Sequence, residues 1–140
     1  YRFNGYAKAM KSFGLPIIDD YIKCSGVEKG YEQVSELLKL RARPTAIFSA
    51  NDTNALYGYK AILDSGLSIP ADISIVGFDD ISMAKYASPP LTTVRVYKEE
   101  IGSVAVRKLL SFIDQKPDSQ VHVLVPTRFV ERDSVKSINI

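Results

Sequence analysis

Two short, almost wholly apolar runs constrain the fold of this chain more than any other feature. Residues 45–50 read Thr-Ala-Ile-Phe-Ser-Ala, and residues 73–78 read Ile-Ser-Ile-Val-Gly-Phe. β-Prone runs of this length are typical of strands that are covered on both faces, as in parallel sheets. Between the two runs, apolar residues from Leu56 to Leu63 recur at helical spacing. The order of strand, helix and strand predicts an α/β fold with a parallel sheet.

The same alternation continues along the chain. Helices are predicted where apolar residues recur every three or four positions, and extended segments where β-branched and aromatic residues cluster. Pro44 ends one predicted helix near Arg41, and Gly66 ends another that Asn51 or Asp52 caps. The predicted helices cover residues 3–13, 27–41, 52–65 and 101–113, and the extended segments cover residues 21–24, 45–50, 73–78, 91–96, 121–125 and 127–131. We therefore expect helices on both faces of the sheet.

Charge and composition exclude several classes of protein. The 140 residues contain 18 Lys and Arg against 16 Asp and Glu, a net charge of +2, and the cations are scattered rather than clustered. Direct DNA binding by these residues is therefore not expected, because a duplex-binding surface needs clustered cations. No apolar run is long enough to span a bilayer. The single cysteine, Cys24, cannot form an intramolecular disulfide, which fits a reducing compartment.

The sequence shows no catalytic or metal-binding motif. No phosphate-binding glycine loop, GxSxG, CxxC or HExxH is present, and the only histidine, His122, lies in an alternating segment. A His in such a strand is more often a packed or surface residue than a catalytic one. We therefore predict no enzymatic activity, no metal and no cofactor.

Polar residues follow each of the two apolar runs. Asn51 and Asp52 come after the first run, and Asp79 and Asp80 come after the second. In parallel sheets, ligands bind beyond the carboxyl ends of the strands, where these side chains are expected to lie. Together with Arg2 they could hydrogen-bond neighbouring hydroxyls, as on a sugar, or a polar ring edge. Helix capping, turn formation, a surface location for Arg2 and acid–base chemistry of the paired acids remain alternatives.

Several stretches resemble the lac-repressor-like (LacI/GalR) transcription regulators. The motifs that carry the resemblance are Ile-Pro-Ala-Asp-Ile-Ser-Ile-Val-Gly-Phe-Asp-Asp at 69–80, Pro-Pro-Leu-Thr-Thr-Val at 89–94, Pro-Thr-Ala-Ile-Phe-Ser-Ala-Asn-Asp at 44–52, the opening Arg2 with Gly5 and Tyr6, and Phe-Val-Glu-Arg-Asp-Ser at 129–134. Their order and spacing match over nearly the whole chain.

The resemblance implies a two-lobed effector domain like that of periplasmic binding proteins, of which this chain would hold only a part. Residues 1–95 would form the C-terminal lobe, residues 96–118 a crossover and a helix of the other lobe, residues 119–133 a returning strand, and residues 134–140 a tail. The DNA-binding headpiece and most of the N-terminal lobe would lie outside the sequence, which begins at Tyr1 without an initiator Met.

By the same resemblance, the ligand-binding residues are expected to be Arg2, Asn51, Asp52 and Asp79. Many relatives carry Gln at the position of Val96, where a valine cannot form a hydrogen bond. The aromatic wall expected between Ser25 and Tyr31 has no obvious ring in this sequence.

The leading hypothesis is therefore the effector-sensing part of a bacterial repressor. Its expected partners are a small-molecule effector (a sugar, sugar phosphate or purine-like compound), a second copy of the chain in a homodimer, and operator DNA through the headpiece only. The expected compartment is the cytoplasm, with no membrane association. The alternatives are a periplasmic or lipoprotein sugar-binding protein that serves a transporter, and an α/β enzyme that uses Asp79 as acid or base.

Overall fold

The computed structural model describes residues 2–24, 29–114 and 121–138, which form four helices and four strands with two short 3-10 turns. The elements are α1 (Arg2–Ser12), α2 (Gly30–Leu38), β1 (Ala46–Phe48), α3 (Asp52–Asp64), β2 (Ser74–Val76), β3 (Thr93–Val96), α4 (Lys98–Asp114) and β4 (Thr127–Val130). The 3-10 turns cover Asp19–Tyr21 and Ser82–Tyr86.

The two apolar runs pair as predicted. β1 and β2 are parallel, with Ile47 opposite Ile75. β3 continues the sheet through parallel bridges from Thr92 to Val76 and from Arg95 to Asp79. Because these strands run in the same direction, their carboxyl ends lie at the same edge of the sheet, and the predicted α/β fold with parallel strands is confirmed.

The last strand differs from the parallel pattern. β4 pairs antiparallel with β3, with Val94 opposite Phe129. The chain then turns back along β2, where the amide N–H of Ile75 donates to the carbonyl of Ser134. Ser134 is fully buried, accepts a hydrogen bond from the Thr92 amide N–H and donates one to the Ile75 carbonyl. The segment predicted to be a tail from residue 134 therefore begins with a residue that joins β2 to β3.

The hydrophobic core lies between α2, α3 and the face of β2. Helix α3 is capped by Asn51 and is followed by Gly66, whose φ of 73° suits a residue without a Cβ. Both features were predicted. The buried apolar residues of this core are Val34, Ala55, Tyr59, Ala61, Ile62, Ile69, Ile73, Ile75, Ala84 and Leu91.

Three predictions about the remaining elements are wrong. Residues 21–24 are not a strand: a 3-10 turn ends at Tyr21, and the residues after it form no ladder with another described segment. Residues 121–125 are likewise outside any strand. Helix α2 ends at Leu38 rather than near Arg41.

The expectation that β1 is covered on both faces is also wrong for the part of the chain that the structure describes. Ala46 is exposed, and 42% of the surface of Phe48 is accessible. The cause is that β1 is paired with β2 at one edge, whereas its other edge borders a cavity whose far side is formed by residues 21–24.

Helices α1 and α4 bury few of their apolar residues. α1 has no buried residue, and in α4 Leu109 is 61% and Ile113 is 72% exposed. The predicted boundary at residue 96 coincides with the end of β3, directly before α4. None of the described helices has the length and apolar character needed to cross a bilayer.

Candidate polar ligand site at the carboxyl ends of the strands

The N-terminus of α1 meets the carboxyl ends of β1 and β2 through Arg2. The Arg2 guanidinium donates from Nη1 to the carbonyl of Ala50 and from Nη2 to Oδ1 of Asp79, at 3.1 Å. The same guanidinium lies 4.1 Å from the centre of the Phe78 ring, within range for a cation–π interaction. Three groups from two strand ends therefore fix this side chain, although 40% of it remains exposed.

Asp79 presents a partly open carboxylate beside Arg2. Its side chain is 23% exposed, and its backbone N–H donates to the Val94 carbonyl at 2.9 Å. The φ of Asp79 is 115°, which residues other than glycine rarely adopt. The carboxylate is thus placed by an unusual backbone conformation at the end of β2, where it can accept hydrogen bonds from a polar ligand.

Asn51 lies at the end of β1 and caps helix α3. Its side-chain oxygen accepts from the amide N–H of Asn54 at 2.8 Å, and its own carbonyl accepts from the Ser49 hydroxyl. The side-chain amide is partly buried, and the cap occupies its oxygen. The helix-capping alternative for Asn51 is therefore present in the structure, and the amide nitrogen is the group that a ligand would contact.

Asp52 occupies a different environment from the other three predicted residues. It is fully buried, with Oδ1 accepting from the Thr93 hydroxyl at 2.6 Å and Oδ2 from the Ile81 amide N–H at 2.9 Å. Its own amide N–H donates to the Phe78 carbonyl. Asp52 thus connects the start of α3 with β3 and with the segment after β2, and its position favours a structural role over contact with a ligand.

Asp80 points away from Asp79 and forms a buried ion cluster. Its carboxylate, 6% exposed, accepts from Arg95 Nε at 2.6 Å and from Arg132 Nη2 at 2.7 Å. Burial opposes ionisation of this carboxyl, but the hydrogen bonds from Arg132 and Arg95 outweigh it and hold the pKa of Asp80 below its usual value.

Sequence reasoning did not find the residues that surround this site. Arg95 and Arg132 lie in strand-like stretches without a motif, and the Ala50 carbonyl is a backbone group that no residue type announces. Phe78 follows an apolar run and is read as part of it. The aromatic wall sought between residues 25 and 31 falls largely on residues 25–28, which lie outside the described residues.

A cavity of about 320 Å³ adjoins the polar cluster, a volume at the lower end of the range for small-molecule sites. It extends along the open edge of β1, between α1, residues 21–24 and α2. Arg2 and Ala50 line it, whereas Asn51, Asp52 and Asp79 do not. The polar cluster and this largely apolar cavity therefore share Arg2 and Ala50 only. Within the described ranges, no group of His, Cys, Asp and Glu is arranged to hold a metal ion.

Comparison with known sequences places the chain among transcription regulators. Residues 1–135 match the family model described as periplasmic binding protein-like domain. The chain is 41% identical over 140 residues to the HTH-type transcriptional regulator MalR of Clostridium butyricum, covering 99% of this chain and 42% of that protein. It is 46% identical over 109 residues to the lactose operon repressor of Rhizobium radiobacter, covering 78% of this chain and 96% of that sequence. The chain thus spans less than half the length of several curated relatives.

Comparison with solved structures agrees. A regulatory protein of the LacI family from Chloroflexus aggregans superposes with a TM-score of 0.85 at 35% identity, over 96% of this chain and 50% of that one. A LacI family transcriptional regulator from Enterococcus faecium with bound ribose gives 0.83 at 31% identity, over 96% and 50%. The lac repressor dimer bound to operator and an anti-inducer also gives 0.83 at 31% identity, over 96% and 46%.

Proposed function

The chain belongs to the LacI family of transcriptional regulators, and from this premise we propose that it forms part of the effector-binding domain of a bacterial repressor. The effector is a small polar molecule, a sugar in the first instance, bound beside Arg2, Asn51 and Asp79. The observation that carries the proposal is the meeting of Arg2 with Ala50 and Asp79 at the carboxyl ends of two parallel strands. The bound ribose of the Enterococcus faecium relative supports a sugar.

The chemistry of the cluster suits vicinal hydroxyls. Arg2 supplies N–H donors, Asp79 supplies carboxylate acceptors, and the Asn51 amide supplies a donor. The Arg2–Asp79 ion pair is partly exposed, so a ligand hydroxyl can bridge both charged groups without burying either of them unpaired. Asp52 supports the site from below by fixing the start of α3.

The proposed arrangement assigns residues 1–95 to one lobe of the domain, and residues 96–118, with α4, to the other lobe. The exposed apolar side chains of α4 support this division, because they lack cover in the described chain. Effector binding between the lobes would change how a DNA-binding headpiece in the longer protein meets its operator, by a coupling free energy between the two sites. The compartment is the cytoplasm and the assembly a homodimer, the latter supported by the dimeric lac repressor structure. No reaction is catalysed.

The relatives do not favour the two other hypotheses. The relatives described above are named as regulators and a repressor, not as transporter-linked binding proteins or enzymes. A catalytic role for Asp79 would also need an acid–base partner. Its described side-chain partner is the guanidinium of Arg2, which stays protonated and cannot take up a proton.

The proposal is tested by a thermal-shift screen of the complete protein against ribose and other sugars, sugar phosphates and purines. A specific ligand raises the melting temperature by mass action. Asp79→Ala and Arg2→Ala should then weaken binding of the responding ligand roughly 10- to 100-fold, since each removes a hydrogen bond to a charged group worth about 1.5–3 kcal/mol.

Asp64→Ala is the matched control. Asp64 also forms an ion pair, with Lys60, and accepts from the Tyr31 hydroxyl near the opposite end of α3. Its removal should leave the affinity unchanged. If calorimetry gives the same affinity for wild type, Asp79→Ala and Arg2→Ala, the site assignment is wrong.

A further inference from the structure

Two consecutive residues at the end of β2 have positive φ angles, 115° for Asp79 and 49° for Asp80. Such conformations persist in residues with a side chain only when their surroundings hold them in place. Asp79 has one backbone restraint, its N–H to the Val94 carbonyl, and one side-chain restraint, the partly exposed pair with Arg2. Neither contact is buried, so the main restraint must come from the neighbouring residue.

Asp80 supplies that restraint. Both of its carboxylate oxygens are occupied, one by Arg95 of β3 and the other by Arg132, which follows β4. Arg132 is fixed in turn, because its Nη1 donates to the Leu91 carbonyl at 2.7 Å and its backbone N–H donates to the Thr92 hydroxyl at 2.9 Å. Two separate segments therefore grip the residue that directly follows Asp79.

We propose that Asp80, Arg95 and Arg132, here called the Asp80 clamp, are positioning residues of the effector site. The clamp holds the backbone turn that aims the Asp79 carboxylate at Arg2, and it keeps Arg2 over the Phe78 ring. It touches no ligand itself. The role in effector binding rests on the proposed function, whereas the placement of Asp79 and Arg2 is a property of the protein without ligand.

Adjacent acidic residues with opposite tasks explain why both are needed. Asp79 remains partly open, with one side-chain contact from Arg2, while the Asp80 side chain is 6% exposed and saturated with two guanidinium groups. A turn in which consecutive residues have positive φ turns the two side chains in different directions. The ligand-facing carboxylate can then stay accessible because the anchoring carboxylate carries the structural load.

The test is NMR spectroscopy of the 15N,13C-labelled protein without ligand, comparing wild type with Asp80→Asn and Arg95→Gln. The three-bond coupling between the amide and α protons of Asp79 reports its φ directly. The ring current of Phe78 shifts the Arg2 methylene protons upfield, which reports whether the guanidinium still lies over the ring. A structural role confined to general stability would leave both signals in place in any variant that still folds.

We expect both variants to move the Asp79 coupling towards that of an extended residue and to abolish most of the Arg2 upfield shift. Amide exchange at Ile62, deep in the core, should stay protected and show that the fold is retained. Asp64→Asn is the matched control, because it weakens an ion pair of α3 far from the clamp, and both signals should be unchanged in it. Arg95 has a partly exposed side chain, so Arg95→Gln keeps the test decisive if Asp80→Asn does not fold.

Unchanged Asp79 coupling and unchanged Arg2 shifts in a folded Arg95→Gln or Asp80→Asn protein would overturn the proposal. Titration of the same samples with the ligand from the thermal-shift screen separates the two hypotheses. Altered signals with a more than 10-fold loss of affinity support the clamp as a positioning device for the effector. If no ligand in the screen binds the wild type, the proposed function fails, and the two NMR signals still decide whether the clamp positions Asp79.

Discussion

Replacement of Asp52 gives a direct test of whether this residue belongs to the structure or to the ligand. The sequence predicts ligand contact, whereas the structure shows a fully buried carboxylate with both oxygens bonded, to the Thr93 hydroxyl and the Ile81 amide N–H. Asp52→Ala removes two hydrogen bonds to a charged acceptor. At about 1.5–3 kcal/mol for each bond, the free energy of unfolding should fall by roughly 3–6 kcal/mol.

Asp52→Asn is the matched variant. An asparagine keeps the shape of the side chain, its oxygen can still accept from the Ile81 amide, and its NH₂ can donate to the Thr93 hydroxyl once that hydroxyl rotates. The charge is lost but both pairs are kept, so the cost should be only about 1–2 kcal/mol. The structure therefore predicts that alanine is clearly more damaging than asparagine.

Urea unfolding followed by far-UV circular dichroism measures both costs. With a slope of about 2 kcal/mol per molar urea, Asp52→Ala should lower the midpoint by about 1.5–3 M, and Asp52→Asn by less than about 1 M. A midpoint for Asp52→Ala within 0.5 M of wild type (about 1 kcal/mol at this slope) would refute the structural role. If the asparagine variant instead lost ligand affinity at unchanged stability, the original prediction of ligand contact would be right.

The other predictions concern packing and pH. Gly77→Ala should destabilise the protein, because an added Cβ would overlap Oδ1 of Asp52, whereas Gly102→Ala in α4 meets open space and should stabilise by about 0.5–1 kcal/mol; thermal melts compare the two. The Tyr59 hydroxyl donates to the Pro89 carbonyl, and burial raises the pKa of Tyr59 to about 12. Since this pKa lies above that of the unfolded chain, the contribution is complete below pH 10 and is lost as the pH rises towards 12. Melting temperatures should fall more steeply between pH 10 and pH 12 in wild type than in Tyr59→Phe, and equal slopes would contradict the assignment.

Much of the fold follows from local patterns. The apolar runs at 45–50 and 73–78 give the parallel pair β1 and β2, and helices were expected at α3 and α4 because apolar periodicity and capping residues act within one element. The failures have a common physical cause. Residues 21–24 and 121–125 have strand-like composition, but a strand forms only where a neighbouring backbone supplies hydrogen bonds. No pattern inside a segment reveals whether that neighbour is present.

The sequence alone determined the order of the elements, the family and the edge of the sheet at which polar residues collect. Only the tertiary structure decided which of those residues face outwards. Asn51 and Asp52 are neighbours in sequence, yet one caps a helix at the surface of the site and the other is sealed in the core. Asp79 and Asp80 diverge in the same way, one towards Arg2 and the other towards Arg95 and Arg132. The reason is that the role of a carboxylate is set by the donors that the chain brings to it. Here these donors come from segments 15 to 77 residues away.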